Sequence, residues 1–258
     1  MLQICVAGAT GWTGSALVQA VLDAGDLHLR SGVARSSAGE DVGAPVFGSV
    51  GEALDGVDVL IDYTSHLVVK ENVMTAIERG VAAVVGTSGL SADDYAEIDA
   101  AARERGVGVV AAGNFSLTAA MAQAAALLAA RHLPHWEVID YASATKPDVP
   151  SGTARELAER LAEVRRPILA RALEDTDGPR EARGATVGGA QVHSVRLPSF
   201  VVSTEVVFGL PDERLSIRHD AGGTPAPYVA GTLLAARAAP GRVGLTRGLD
   251  TLLVGALA

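Results

Sequence analysis

The stretch ASATKPDVPSGTA, from Ala142 to Ala154, combines a lysine with a helix start that suits an anion. Ser151, Gly152 and Thr153 open a segment with helical spacing, and the free backbone N–H groups and the helix dipole at such a start favour negative charge. Lys146 lies shortly before them and adds a full positive charge, but the stretch contains no histidine and no cysteine. These residues predict a site for an anion. A plain helix cap with an exposed lysine nearby is the alternative on this signal alone.

A glycine-rich turn near the amino terminus, VAGATGWTGSAL, predicts a dinucleotide site. Its glycines follow one another at three-residue spacing, between a strand pattern and a helix pattern. The first permits a tight turn, the second lets the backbone approach a pyrophosphate, and the third allows the helix to pack closely on the strand. The helix N-terminus then faces the phosphates. The cofactor contacts expected from this turn are Gly8, Thr10, Gly11, Trp12, Thr13 and Gly14.

The end of the second predicted strand favours NADPH over NADH. In NAD sites an acidic residue at this place binds the ribose 2′-hydroxyl. The chain instead has Arg35, Ser36 and Ser37, with no carboxylate before Glu40. An arginine with two hydroxyl groups suits a 2′-phosphate. We therefore predict NADPH as the cofactor and NADH as the less favoured one; an ordinary solvated arginine is the alternative.

Three further segments are expected at the same edge of the sheet. DYTS (62–65), GTSG (86–89) and GNFS (113–116) each follow a predicted strand. Ligands of doubly wound folds bind at the carboxyl ends of the strands, where backbone and hydroxyl groups could hold the ribose and the nicotinamide. Any one segment alone is equally well a plain loop, but three at one edge favour function. The predicted contacts are Tyr63, Thr64, Gly86, Thr87, Ser88, Asn114 and Phe115.

The elements that must position these residues fall into two groups. Up to about Phe115, continuous apolar strands such as VDVLIDYT alternate with amphipathic helices such as VVKENVMTAIERG, which is typical of a doubly wound parallel sheet. Later, AQVHSVRL, FVVSTEVVFG and ERLSIRHDA follow one another without a helix between them, which indicates a mixed or antiparallel sheet. The predicted fold class is α/β: a Rossmann-like doubly wound parallel sheet plus a second α+β domain with a mixed sheet. Residues 1–116 and 222–258 are assigned to the dinucleotide-binding domain and residues 117–221 to the second domain.

Composition argues against several other classes of protein. With 258 residues, of which 48% are hydrophobic and 20% charged, the chain has material for one large or two modest globular domains. A net charge of −9 argues against nucleic acid or an anionic membrane as the main partner. No segment predicts a signal peptide or a membrane span. The single cysteine, Cys5, excludes a disulfide framework, so we expect a cytoplasmic location. No metal site is predicted, because His132 and His135 lack further ligands.

Over nearly its whole length the sequence resembles the dihydrodipicolinate reductase (4-hydroxy-tetrahydrodipicolinate reductase) family. The resemblance lies in the glycine turn, DYTSHLVVKENVMTAIERGVAAVVGTSGL, GNFSL, TKPDVPSGTA, VHSVRLPSFVVSTEVVFGLPDERLSIRHDA and YVAGTLLAARA. The segments KPDVPSGTA and VHSVR…ERLSIRHDA are the specific ones. The resemblance implies a Rossmann-like domain, a substrate-binding domain whose mixed sheet assembles a homotetramer, and reduction of a cyclic enimine dicarboxylate with NAD(P)H. It also implies that Lys146 is the catalytic lysine and that Ser151, Gly152 and Thr153 hold a substrate carboxylate.

The sequence departs from the family pattern where the family has histidines. A histidine pair four and three residues before the lysine is here Ala142 and Ser143, and a Gly-Glu-His pattern on a late strand is here Val202, Ser203 and Thr204. The family's histidines are assigned to proton donation and carboxylate binding, and neither alanine nor serine is a cation near neutral pH. Losing a proton donor typically costs about 10²–10⁴-fold in rate. We therefore interpret the chain as a divergent member that lacks the catalytic histidine pair.

Three functions remain open at this point. The leading hypothesis is an NADPH-dependent reductase acting on an activated C=N or C=C bond of a small cyclic substrate other than the lysine-pathway one. Lys146 is its first candidate proton donor, ahead of Tyr141 and Ser143, and Ser143 is expected to contact the substrate together with the helix start. One alternative is an authentic 4-hydroxy-tetrahydrodipicolinate reductase; the other is a non-catalytic NADP-binding sensor.

Overall fold

The computed structural model describes residues 1–254 and shows two compact units. One unit contains residues 1–117 together with the chain from Thr224, and the other contains residues 118–223. Each unit is built around its own sheet. The fold class predicted from the sequence is confirmed, because the first sheet is parallel and Rossmann-like and the second is mixed.

The first unit is a parallel sheet with helices on both faces. Numbered in chain order, its strands are β1 (Leu2–Ala7), β2 (Leu27–Val33), β3 (Val46–Phe47), β4 (Val59–Asp62), β5 (Ala82–Val85), β6 (Gly108–Ala111) and β12 (Gly244–Arg247). Its helices are α1 (Trp12–Asp23), α2 (Val50–Ala53), α3 (Val69–Glu78), α4 (Ala92–Arg105), α7 (Ala226–Ala238) and α8 (Asp250–Val254). The strand order is β12-β6-β5-β4-β1-β2-β3. The central strands β4, β5 and β6 are buried along their whole length, which explains why they are continuous apolar runs.

The late helix α7 belongs to this first unit. It packs against α1, β4 and β5. The Arg237 guanidinium binds Asp26 through two hydrogen bonds of 2.7 and 2.8 Å, and the Tyr63 and Thr232 hydroxyls are 2.7 Å apart. The contact with Tyr63 places α7 beside the end of β4, which was predicted to bind the cofactor.

The second unit is a five-stranded mixed sheet covered on one face. Its strands are β7 (Trp136–Ala142), β8 (Ala185–Val187), β9 (Ala190–Arg196), β10 (Val202–Leu210) and β11 (Glu213–Asp220), and its helices are α5 (Leu117–Ala130) and α6 (Gly152–Val164). The order is β11-β10-β7-β9-β8, with β7 and β9 parallel and the other pairs antiparallel. The two helices bury Trp136, Val138, Val206 and Phe208 on the inner face. The side chains of β7 alternate in burial, so Glu137, Ile139 and Tyr141 lie on the open face.

The short elements differ most from the sequence analysis. The polar region between Pro167 and Gly189 forms two short 3₁₀ turns, Leu173–Asp175 and Arg180–Arg183, and the three-residue strand β8. The strands β3, β8 and β12 have only two to four residues each and show no apolar run. None of the helices formed by residues 1–254 is long and apolar enough to cross a membrane.

Candidate functional site

The glycine turn has the geometry that its spacing predicted. Gly8 has φ +84°, and a Cβ there would lie 2.2 Å from the carbonyl oxygen of Tyr63. Gly14 lies in the first turn of α1, where a Cβ would lie 1.9 Å from the carbonyl oxygen of Gly8. Only glycine fits at these two positions. Thr10, Gly11 and Trp12 are exposed at the start of α1, where the first backbone N–H groups have no partner within the helix.

The arginine loop adjoins this turn. The N–H groups of Gly8 and Ala9 donate to the carbonyl oxygen of Val33 at the end of β2 (2.8 and 3.1 Å). Immediately afterwards the chain forms a 3₁₀ turn over Arg35–Ser37, in which Arg35 and Ser36 are exposed and Ser37 is half-buried. Within residues 1–254 the Arg35 guanidinium is in no ion pair, so its charge is available to a ligand.

A buried carboxylate that the sequence analysis did not single out organises the next two strand ends. Asp62 is 0% exposed. It accepts hydrogen bonds from the Thr64 N–H (3.1 Å), the Thr64 hydroxyl (2.8 Å), the Thr87 hydroxyl (2.6 Å) and the Asn72 amide (2.8 Å). All these donors are neutral. One side chain thereby fixes both predicted cofactor loops, DYTS and GTSG, relative to each other.

Removing this carboxylate is expected to destabilise the first unit. Asp62→Ala leaves two hydroxyl groups, an amide and an N–H without their acceptor, so we expect the free energy of unfolding to fall by about 2–4 kcal/mol. Urea unfolding followed by circular dichroism measures this change. Asp55→Ala, which removes an exposed carboxylate from the same unit, is the matched control, and an equal effect of the two substitutions would contradict the prediction.

Aromatic side chains line the inner part of the same edge. The Tyr63 ring lies where a Cβ on Gly86 would stand (2.1 Å), and its centroid is 6.2 Å from that of Phe115. Burial raises the pKa of Tyr63, and its hydroxyl is already engaged with Thr232. Phe115 is only 1% exposed, so its side chain belongs to the core, and a cofactor contact through its backbone stays a prediction.

The remaining predicted cofactor residues also lie in the first unit. Ser88 is exposed, and Thr13 and Asn114 are half-buried. The Asn114 side-chain oxygen accepts from the Ser116 N–H (2.8 Å), which fixes the turn after β6. Trp12 is 55% exposed and meets Tyr228 edge-on, with centroids 6.2 Å apart. An indole so exposed at the glycine turn provides an apolar surface beside the predicted phosphate site.

The predicted substrate loop lies in the second unit, between β7 and α6. Lys146 is half-buried, and its ammonium nitrogen is 2.9 Å from a carboxylate oxygen of Asp148. The Lys146 N–H donates to the carbonyl oxygen of Ser143 (3.0 Å), which turns the chain just after β7. The Ser143 hydroxyl pairs with that of Thr145 (3.1 Å). This backbone hydrogen bond brings Ser143 and Lys146 together in one turn, and their roles as substrate contact and proton donor stay predictions.

The start of α6 rests on a second buried carboxylate, Asp140. It is 0% exposed and binds the Ser151 N–H (2.9 Å) and the Ser151 hydroxyl (2.6 Å). The same hydroxyl accepts from the Ala154 N–H (3.3 Å) and so caps the helix. Ser151 is itself 1% exposed. The prediction that it binds substrate is corrected, because both of its donors are already used; Gly152 and Thr153, which are half-buried, form the accessible part of the helix start.

The positions of the family's histidines differ in burial. Ala142 is 0% exposed on the inner face of β7, Ser143 is half-buried, and Thr204 is 7% exposed on β10. Tyr141 points to the opposite face, as its place on a strand predicted, and its hydroxyl donates to Glu205 (3.1 Å). Tyr141 therefore faces away from Ala142, and its hydroxyl is engaged by a carboxylate.

Other histidines and metal-binding groups add nothing to the site. Burial lowers the pKa of His219, which contacts the Thr118 hydroxyl (3.1 Å). His193 is 2.7 Å from a carboxylate oxygen of Glu137 on the open face of the sheet. Within residues 1–254, no three side chains of the kinds that ligate metals lie together.

Comparison with known proteins identifies the family. Residues 2–115 match the family model "Dihydrodipicolinate reductase, N-terminus" and residues 113–253 match "Dihydrodipicolinate reductase, C-terminus". The chain is 36% identical over 268 residues to the 4-hydroxy-tetrahydrodipicolinate reductase of Thermosynechococcus vestitus, covering 98% of this chain and 97% of that protein. It is 37% identical over 255 residues to the enzyme of the same name from Streptococcus pneumoniae, covering 98% and 99%.

A solved structure agrees with this assignment. The dipicolinate-bound dihydrodipicolinate reductase from Paenisporosarcina sp. TG-14 superimposes with a TM-score of 0.77 at 26% identity, covering 97% of this chain and 99% of that one. The match spans the parallel sheet and the mixed sheet alike. The chain belongs to the dihydrodipicolinate reductase family and is an NAD(P)H-dependent oxidoreductase.

Proposed function

We propose that this enzyme uses NADPH to reduce an activated C=N or C=C bond in a small ring that carries a carboxylate, and that its substrate differs from the dicarboxylate of the lysine pathway. The observation that carries the proposal is the contrast between two neighbouring parts of one loop. The helix start and Lys146 provide an anchor for one anion, whereas the family's histidine positions hold Ala142 and Ser143. A second carboxylate would meet no cation at these two positions.

The chain's own residues support the cofactor part of the proposal. The glycine turn leaves no room for a Cβ at Gly8 or Gly14, and the start of α1 is exposed. Arg35, which is in no ion pair within residues 1–254, lies two positions after the end of β2. This arrangement fits a pyrophosphate at the helix start and a 2′-phosphate at the arginine. NADPH would supply the hydride when bound.

The substrate part uses the loop of the second unit. Gly152 and Thr153 would hold a carboxylate at the start of α6, where backbone N–H groups and the helix dipole favour an anion. The Lys146 ammonium would strengthen that binding and donate a proton to the reduced atom. Ser143 replaces a charged group with a small neutral hydroxyl, which suits an uncharged part of the ring.

The test compares two substrate types with the same purified enzyme. NADPH oxidation is followed by absorbance with 4-hydroxy-tetrahydrodipicolinate and with cyclic imines that carry a single carboxylate. We expect kcat/KM to be at least about tenfold higher for a monocarboxylate, since a charged group left unpaired on binding costs about 1–3 kcal/mol or more. No turnover with any cyclic imine would overturn the proposal.

A second candidate function is 4-hydroxy-tetrahydrodipicolinate reductase itself. The observation in its favour is the name shared by the two relatives at 36 and 37% identity over 98% of the chain. The same assay decides: a kcat of about 1–10³ s⁻¹ on the dicarboxylate, the range of ordinary enzymes, would establish this candidate and exclude the first.

The preference for NADPH is tested at Arg35. Arg35→Ser is expected to raise the KM for NADPH at least about tenfold and to leave the KM for NADH within about twofold, because a charge-assisted hydrogen bond contributes about 1.5–3 kcal/mol. Arg79→Ser, at an exposed arginine of the same unit, should change neither. A wild-type enzyme whose KM favours NADH by about tenfold would contradict the assignment.

Assembly and location follow from the same proposal. The open face of the second sheet carries Ile139 and Val207 beside charged groups such as Glu137, and the tilted rings of Tyr141 and Phe200 have centroids 5.0 Å apart. The homotetramer is proposed from the family resemblance. Cys5 is buried and free, which agrees with the cytoplasmic location expected from the sequence.

A further inference from the structure

One arginine on β9 reaches both ends of the substrate loop. Arg196 is the register partner of Ala142 on the neighbouring strand β7. Its terminal nitrogen Nη2 donates to a carboxylate oxygen of Asp140 (2.8 Å) and also to the carbonyl oxygen of Asp148 (2.7 Å). Nη1 donates to the carbonyl oxygen of Val195 (3.0 Å). The guanidinium is therefore fixed in place and bridges two points that lie eight positions apart in the sequence.

The two residues that Arg196 binds, Asp140 and Asp148, each hold one part of the predicted anion site. Asp140 holds Ser151, and so sets where α6 begins and where its first N–H groups point. Asp148 holds the ammonium of Lys146 through its own carboxylate (2.9 Å). The distance between the helix start and the lysine thus depends on a single guanidinium.

The charge balance explains why an arginine stands there. Asp140 is fully buried, and Arg196, whose side chain is 15% exposed, is its ion-pair partner. A further neutral donor, the Ser194 hydroxyl, lies 3.1 Å from the same oxygen. Nη2 alone donates to the carboxylate and to the carbonyl, and Nη1 donates to a third acceptor, so the planar guanidinium is held at both of its terminal nitrogens.

The geometry points to Arg196 as a positioning residue that sets the substrate anchor by holding Asp140 and Asp148 together. This inference rests on the proposed function, in which Lys146 and the start of α6 bind the substrate carboxylate. Because the Arg196 side chain is mostly buried, we expect it to affect the substrate through the position of the loop and not by direct contact. A misplaced anchor binds the carboxylate less well.

The test uses Arg196→Lys, which keeps the charge but whose nitrogen ends one bond short of Nη2, the atom that reaches both acceptors. Hydrogen exchange measured by mass spectrometry on peptides covering residues 143–151 is expected to be at least about tenfold faster than in the wild type. The KM for the best cyclic imine should rise at least about tenfold. Over the same change kcat should fall less than about threefold, and the KM for NADPH should stay within about twofold. Arg214→Lys, at an exposed arginine of the same unit, should change none of these.

Two results would overturn the inference: unchanged exchange in the loop, or a fall in kcat with an unchanged KM for the imine. If Arg196→Lys does not fold, the double variant Arg196→Gln with Asp140→Asn removes both buried charges together and is measured in the same way. If the wild-type enzyme reduces none of the imines, the proposed function fails, and the exchange measurement still decides the role of Arg196.

Discussion

Replacing Lys146 by alanine is expected to lower kcat/KM for the preferred substrate by about 10²-fold or more, the usual loss for a general acid. The dissociation constant for NADPH should change less than about twofold, because the predicted cofactor contacts all lie in the first unit and Lys146 lies in the second. Steady-state rates and the quenching of protein fluorescence by NADPH measure the two quantities.

Lysine is rare in this chain, which suggests a second substitution at the same position. Of 21 basic residues, Lys70 and Lys146 are the two lysines, so 21 − 2 = 19 are arginines. A lysine at a substrate anchor has a property that arginine lacks, since its ammonium can give up a proton in catalysis while a guanidinium stays charged. Lys146→Arg is therefore expected to retain substrate binding and to lose kcat.

The control for both variants is present in the chain. Lys70 lies on α3 in the first unit, where its ammonium nitrogen is 2.7 Å from carboxylate oxygens of Asp94 and Glu97. Lys70→Ala removes the other lysine and two surface ion pairs, and we expect no effect on kcat/KM. If Lys146→Ala keeps the wild-type turnover, the lysine has no part in the mechanism, and Ser143 becomes the residue to test.

The features of the site that the sequence predicted are those that depend on residues close together in the sequence. The glycine turn and the helix that begins at Gly152 each depend on a few adjacent residues, and the structure contains both.

The features that the sequence did not predict depend on pairing between distant strands. In the sequence, Asp62 is only the polar residue at the end of an apolar strand. In the structure its carboxylate accepts hydrogen bonds both from Thr64 beside it and from Thr87, 25 positions later. Asp140 and Arg196 are separated by 56 positions and meet only because β7 and β9 are parallel neighbours. Strand β12 is an edge strand without an apolar run. Its composition does not predict a strand, and it is recognised only because it pairs with β6 in the structure.

The burial of Ala142 also changes what a histidine substitution can show. A larger side chain at a fully buried position must displace its neighbours, which typically costs about 1–3 kcal/mol. Ser143 is half-buried, so Ser143→His tests the family's second histidine with less strain. The sequence analysis treated Ala142 and Ser143 as equivalent, because the sequence alone does not show which of the two side chains is buried.

The second large effect is expected at Gly14. Its Cβ in Gly14→Ala would stand 1.9 Å from the carbonyl oxygen of Gly8 and 2.6 Å from the carbonyl carbon. Because these are backbone atoms, no side-chain rotation relieves the clash, and α1 must move away from the turn. Such overpacking costs about 1–3 kcal/mol in stability. A displacement of about 1 Å at the helix start would weaken NADPH binding by about 10²-fold or more.

Gly51→Ala is the matched control for this prediction. Gly51 lies within α2 of the same unit, and a Cβ there meets no atom within 4 Å. This substitution should raise the thermal midpoint slightly, since alanine is favoured over glycine in a helix by about 1 kcal/mol. NADPH titration, with circular dichroism to confirm folding, separates the two variants. A folded Gly14→Ala enzyme that binds NADPH like the wild type would show that the start of α1 does not hold the phosphates.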